Sequence, residues 1–143
     1  MIVKTILAAK GHDVVLVEPQ MTLLEAAKVM TDNRVGAVVI LGTERRIVGI
    51  LSERDIVRAV ARRGAKALDE TVSQVMTREV MTCTEDETNA RVMSRMTAGR
   101  FRHLPVVKSN RLIGIVSIGD VVKHRVEEIE TESEALRDYI RTA

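Results

Sequence analysis

Gly49-Ile50-Leu51-Ser52-Glu53-Arg54-Asp55-Ile56-Val57 returns 65 residues later as Gly114-Ile115-Val116-Ser117-Ile118-Gly119-Asp120-Val121-Val122. Each stretch is a short apolar run, then Ser-x-x-Asp, then apolar residues at helical spacing. That order predicts a strand that ends, turns sharply and starts a helix. The Ser and Asp admit two readings. As local structure, Ser52 and Ser117 are helix N-caps, and Asp55 and Asp120 close a capping box three residues on, where Glu or Gln is the commoner choice. As chemistry, a strand's carboxyl end beside a helix N-terminus makes a small polar rim. A hydroxyl and backbone N–H groups there can meet phosphate, and an acceptor-only carboxylate can grip a ribose diol. One copy alone reads as a cap. Two copies inside a longer repeat shift the balance toward a site.

The repeat extends outward from these stretches over the whole chain. At an offset of 66, Val14, Thr22, Met30, Thr31 and Arg34 match Val80, Thr88, Met96, Thr97 and Arg100. Residues 3–9 predict a short helix stopped near Gly11. Val14–Val17 reads as a buried strand ending at Pro19. Thr22 caps a helix to about Asp32, with Leu23, Ala26, Ala27 and Met30 on one face. A strand over Val35–Leu41, a turn, a strand over Arg46–Leu51 and a helix over Glu53–Arg63 follow, closed by Gly64. Ala65–Glu70 reads as a polar connection. The second half repeats the series: a short helix at Thr71–Met76, a strand at Val80–Cys83, and a helix from Thr88 to about Ala98. Strands at Phe101–Lys108 and Arg111–Val116 follow, then a helix from Ile118 to about Ile140. The expected fold is α/β with small mixed sheets, in two repeats, 1–66 and 67–143. Neither half buries enough surface to be comfortable alone, so the two are expected to pack about a pseudo-two-fold axis.

Composition narrows the function. Apolar residues make up 45% of the 143, but Phe101 and Tyr139 are the only aromatics. Single-strand nucleic-acid binders need aromatic platforms, which this chain lacks. Net charge is +2, divided as +6 over residues 1–126 and −4 over 127–143. Sixteen of the 22 basic residues are Arg, which favours bidentate contact with phosphate or carboxylate. So modest an excess suits a small anion better than long duplex DNA. Cys83 is the single cysteine; it excludes an internal disulfide and reads as buried and inert. The start carries no signal-peptide pattern, and no apolar run approaches membrane-spanning length, so a cytoplasmic, soluble protein is expected.

With both repeats in view, the sequence resembles a tandem pair of CBS domains, a Bateman module, of the stand-alone bacterial kind. The likeness rests on the two Gly-hydrophobic-hydrophobic-Ser-x-x-Asp stretches, on Val35-Gly36-Ala37-Val38-Val39, and on Arg102-His103-Leu104-Pro105-Val106-Val107. The resemblance implies a regulatory module without catalysis. It would bind an adenosine-containing ligand (AMP, ADP, ATP, NAD(H) or S-adenosylmethionine) in clefts between the repeats. It implies that Asp55 and Asp120 hold ribose hydroxyls, with Ser52 and Ser117 near ribose or phosphate. Adenine would lie among Val17, Ala37, Val38 and Val39 in the first half and Cys83, Thr84, Leu104, Pro105 and Val106 in the second. Arg102 and His103 would meet phosphate. It also implies a homodimer. The alternative reading is a constitutive assembly module that senses no ligand.

The halves differ where charge matters: Arg102 and His103 align with Gly36 and Ala37, and Arg54 aligns with Gly119. Two clefts of unequal affinity or ligand preference are therefore expected. His12, His103 and His124 lack ligand spacing with Cys83, so no metal site is expected. No nucleophile–base arrangement can be read from spacing. Lys10 and Gly11 read as a plain loop. Val121, Val122, Val126, Ile129, Leu136 and Ile140 form an intermittent apolar stripe on the last helix, either a solvated face or a contact surface.

Overall fold

The computed structural model describes residues 1–142. In chain order these form α1 (Val3–Lys10), α2 (Leu23–Asn33), β1 (Ala37–Leu41), β2 (Ile47–Ser52), α3 (Glu53–Arg63), α4 (Val72–Val75), α5 (Asn89–Gly99), β3 (His103–Lys108), β4 (Arg111–Ser117) and α6 (Ile118–Thr142). Short 3-10 turns occupy Thr43–Arg45 and Gly64–Asp69. β1 pairs with β2 antiparallel, Ala37 opposite Ser52 and Ile40 opposite Gly49. β3 pairs with β4 in a second two-stranded sheet. Ser109 and Asn110 join them with φ of 51° and 63°, the left-handed backbone that a tight hairpin turn needs.

The repeat is visible in the caps. Thr22 Oγ1 accepts from Glu25 N at 3.2 Å and Thr88 Oγ1 from Arg91 N at 3.1 Å. α2 and α5 both end on an arginine, Arg34 and Arg100, each with φ 55°. Glycine or asparagine is the usual occupant of that position.

The chain forms two compact units. One comprises Asp13–Met81 with Ser109–Leu112, the other Met1–His12, Thr82–Lys108 and the chain from Ile113 onward. In the first, Leu23, Ala26 and Met30 of α2 meet Val38, Ile40, Leu51, Ala59 and Val72. In the second, Val3, Ile6 and Leu7 of α1 meet Val92, Met96, Leu104, Val106, Val116 and Val121. The leading helices therefore pack crosswise to the sequence repeat: α1 joins the second motif and α4 the first. Each motif glycine receives a side chain from its helix. A Cβ at Gly114 would stand 2.8 Å from Leu7 Cδ2, and one at Gly49 2.4 Å from Met76 Sδ.

Three local expectations need correction. The strands expected at Val14–Val17 and Val80–Cys83 are single parallel bridges, Leu16 to Val39 and Cys83 to Val106. Each unit's ladder is thus two strands, with one added backbone contact. Leu16 is exposed although its run is continuously apolar, because one bridge covers only one side of the chain. Ala65–Glu70 is mostly a 3-10 turn whose Ala67 is fully buried, so the polar connection also contributes to the first core.

Candidate functional site

The two Ser-x-x-Asp stretches fold alike. Ser52 ends β2 and caps α3, its Oγ accepting from Asp55 N at 3.3 Å. Asp55 Oδ2 accepts in return from Ser52 N at 2.9 Å and Ser52 Oγ at 3.1 Å. At the second motif, Asp120 N donates to Ser117 Oγ at 3.1 Å and Asp120 Oδ2 accepts from Ser117 N at 2.9 Å. Both aspartates close a full capping box, so Asp serves where Glu or Gln is commoner. The carbonyl of Gly36 accepts from Glu53 N at 3.0 Å, and that of Arg102 from Ile118 N at 2.8 Å. Each helix start is thereby fastened to the residue just ahead of its neighbouring strand. All four motif side chains stay half-buried, anchored yet within reach of a solute.

Asp120 has a partner that Asp55 lacks. Lys10, the last residue of α1, donates from Nζ to Asp120 Oδ2 at 2.7 Å and to the Ile115 carbonyl at 3.0 Å. Burial acts to raise the Asp120 pKa; hydrogen bonds and charge from Lys10 and Ser117 outweigh it and hold the carboxyl below its ordinary value. Lys10 is therefore not the plain loop residue expected from sequence. At the matching place in the first unit, the Ile50 carbonyl accepts from Thr77 N at 2.9 Å. A backbone group there does what a lysine side chain does here. A cation one helix turn from the strongest apolar run of α1 was the available signal; its partner lies 110 positions away.

The apolar residues expected around adenine divide by face, because strand side chains alternate. Val38 on β1 and Leu104 and Val106 on β3 point into their own cores, as do Val17 and Cys83. Ala37, Val39, His103 and Pro105 occupy the opposite faces of those strands; Ala37, Val39 and Pro105 are buried and His103 is half-buried. The backbones of Val17 and Cys83 are also engaged: Val17 N donates to Val39 O at 3.2 Å and Cys83 N to Pro105 O at 2.9 Å. Burial pushes the Cys83 thiol up to about 12, with the Glu87 charge adding and Arg95 opposing. Thr84 is exposed, its N–H held by Glu87 Oε2 at 2.8 Å. Arg54 and Arg102 are exposed beside the two helix starts.

The surroundings of the carboxylates are unequal in a way the sequence reading did not single out. Asp55 lines an open groove of about 310 Å³ with Arg58, Arg62, Arg63, Gln74 and Val75. Asp55, Arg58 and Arg62 share one face of α3 at intervals of three and four. Arg63 is held by Glu70 at 2.6 Å. By the 65-residue offset, the positions of Arg58, Arg62 and Arg63 are Lys123, Glu127 and Glu128 beside Asp120. Among the described residues no group of three His, Cys, Asp or Glu is placed to hold a metal ion. No described helix is long and apolar enough to cross a membrane.

Comparison with known proteins agrees with this architecture. A structure of a CBS-domain containing protein from Agrobacterium tumefaciens is 46% identical and superposes with TM-score 0.85 over 87% of this chain and 99% of that one. The CBS domain pair of protein MJ0100, in complex with 5′-methylthioadenosine and S-adenosyl-L-methionine, is 27% identical, with TM-score 0.78 over 90% of this chain and 98% of that one. A CBS domain protein from Pyrobaculum aerophilum complexed with AMP is 28% identical, with TM-score 0.72 over 84% and 89%. In sequence, a 17.7 kDa protein of Acidianus ambivalens is 41% identical over 77% of this chain, and a mitochondrial CBS domain-containing protein of Arabidopsis thaliana 39% over 84%. The chain spans 66% and 60% of the lengths of those two relatives. The CBS domain family profile matches residues 4–62 and 72–127, so the chain belongs to the CBS domain family and carries two copies of the domain.

Proposed function

We propose that this CBS pair is a regulatory module that binds an adenosine-containing ligand reversibly and catalyses nothing. The observation that carries the reading is the repeated Ser-x-x-Asp corner. Two half-buried carboxylates stand in matching cap geometry at the starts of α3 and α6. Asp55 and Asp120 are the acceptors for ribose hydroxyls, and Ser52 and Ser117 lie beside ribose or phosphate. The AMP complex of the Pyrobaculum protein and the sulfonium and thioether nucleosides on MJ0100 support this chemical class. Signalling then requires only that the ligand prefer one arrangement of the protein over another.

The unequal surroundings imply unequal affinities. The groove at Asp55 offers Arg58 and Arg62 to phosphate, whereas Asp120 has Lys10 on one side and the acidic end of α6 on the other. A second reading, a constitutive assembly module, draws on Lys10 already occupying Asp120.

Thermal-shift screening against AMP, ADP, ATP, NAD⁺, NADH and S-adenosylmethionine separates the two. A ligand specific to the folded state adds about 2.7 kcal/mol at a hundredfold over its Kd. A selective shift supports the sensor. No shift from any of the six, in protein shown free of co-purified nucleotide, supports the assembly module instead.

A further inference from the structure

The family match ends at residue 127, yet α6 continues to Thr142. Its inward face is Val121 and His124, both buried, with Arg125 and Glu128 half-buried beside them. From Ile129 to Thr142 no residue of the helix is buried. A free helical end of that length is marginal without a packing partner. About 110° round the helix from the inward face runs a second stripe. It comprises Val122, Val126, Ile129, Leu136 and Ile140, exposed by 44, 47, 51, 60 and 64%. With Ser133 between Ile129 and Leu136, the intervals are four, three, four, three and four, a repeat of 3.5 residues. That is the seam of a left-handed coiled coil, with Val126, Ser133 and Ile140 at its a positions and Val122, Ile129 and Leu136 at d.

We propose that this stripe pairs with the same stripe on a second copy of the chain, as a parallel two-stranded coiled coil over residues 122–140, about 27 Å long. The flanking charges select both the partner and its direction. Arg125 and Glu132 lie at g, and Glu130 and Arg137 at e. In a parallel pair each g residue meets the e residue five positions on in the other helix. Arg125 then faces the second copy's Glu130, and Glu132 faces the second copy's Arg137. Both pairs are opposite in sign. An antiparallel pair that keeps all six seam positions in contact sets Glu130 against Glu130, Glu132 against Glu132 and Lys123 against Arg137, all like charges. Arg125 already binds Glu128 at 2.8 Å, so in the dimer its guanidinium bridges two carboxylates. The β-branched Val126 and Ile140 at a, with Leu136 at d, favour two strands over three or four.

The test is site-directed disulfide trapping in the full chain. Leu136→Cys places a thiol on the seam, and Glu134→Cys places one on the outward face as control. Cys83 is buried with its thiol held up at about 12, so it stays silent. Under a mild oxidant, Leu136→Cys should form a covalent dimer at least tenfold faster than Glu134→Cys. By sedimentation, Glu132→Arg should weaken dimerisation about tenfold, and Glu132→Arg with Arg137→Glu should restore it. Circular dichroism checks that these exposed substitutions leave the fold intact. A monomer, trapping at the control rate, or a dimer indifferent to both charge variants overturns the proposal. Trapping at the control rate in a protein that still dimerises assigns the dimer to another surface. A monomer that recruits only an unrelated protein overturns the second copy as occupant.

Discussion

Lys10 Nζ reaches Asp120 Oδ2 at 2.7 Å across 110 positions of sequence, and the second CBS motif is thereby held in a charge state of its own. Lys10→Met should move the Asp120 pKa up toward its ordinary value of 3.8, and carboxyl-carbon NMR titration measures that directly. An unmoved titration would mean that Ser117 alone sets the shift.

The same pair predicts an acid limb in stability. A carboxyl whose folded pKa lies below its unfolded value stabilises the fold at pH above the unfolded value, and the gain disappears as pH falls through the folded value. For Asp120 the loss begins near 3.8 and is complete at still lower pH. Because both partners are partly exposed, Lys10→Met should cost only about 0.5 kcal/mol at neutral pH. Urea unfolding of both proteins should show that difference shrinking between about pH 5 and pH 2. A difference that persisted in acid would assign the loss to packing of the lysine stem.

Asp55→Asn and Asp120→Asn should each keep the N-cap, since the amide oxygen still accepts from the serine N–H, and each should remove the ribose-gripping charge. Calorimetric titration with whichever adenosine ligand stabilises the protein should show affinity falling at least tenfold in one or both. Unfolding midpoints should move by less than the 0.5–2 kcal/mol that a lost cap costs. Unchanged affinity in both variants would leave the aspartates as caps only.

The motif glycines should differ. Gly114→Ala drives a methyl into Leu7, which is fully buried in the second core, and overpacking of that kind costs about 1–3 kcal/mol. Gly49→Ala meets Met76, whose flexible thioether chain can swing aside, so the loss should be smaller. Chemical denaturation of the two variants gives the order; the reverse order would show that α4 is the more tightly held helix.

Cys83 should resist thiol reagents in the folded protein, since burial holds its thiol at about 12 and only the thiolate reacts. Labelling kinetics in native and denaturing buffer should differ by orders of magnitude. Fast native labelling would reveal frequent local opening at the Cys83–Val106 bridge.

Local chemistry was sufficient wherever a few adjacent residues decide the outcome. Thr22, Thr88 and Ser52 could be read as caps, Gly64 as a helix stop and Ser109-Asn110 as a turn, because each rests on hydrogen bonds spanning only a few residues. The duplicated Ser-x-x-Asp likewise disclosed the two domains and their candidate carboxylates, since repetition survives in one dimension. Val14–Val17 and Val80–Cys83 misled because an apolar run has no inherent ladder; whether it becomes a strand depends on how much partner edge it meets. Val38 and Val39 look alike in sequence, and only the β1–β2 register sends one into the core and the other to the opposite face. The choice of α1 for the second motif, and with it the Lys10–Asp120 pair, was decided by side-chain fit at Gly114 and charge at Asp120. Those contacts join residues more than a hundred positions apart, where no spacing rule reaches.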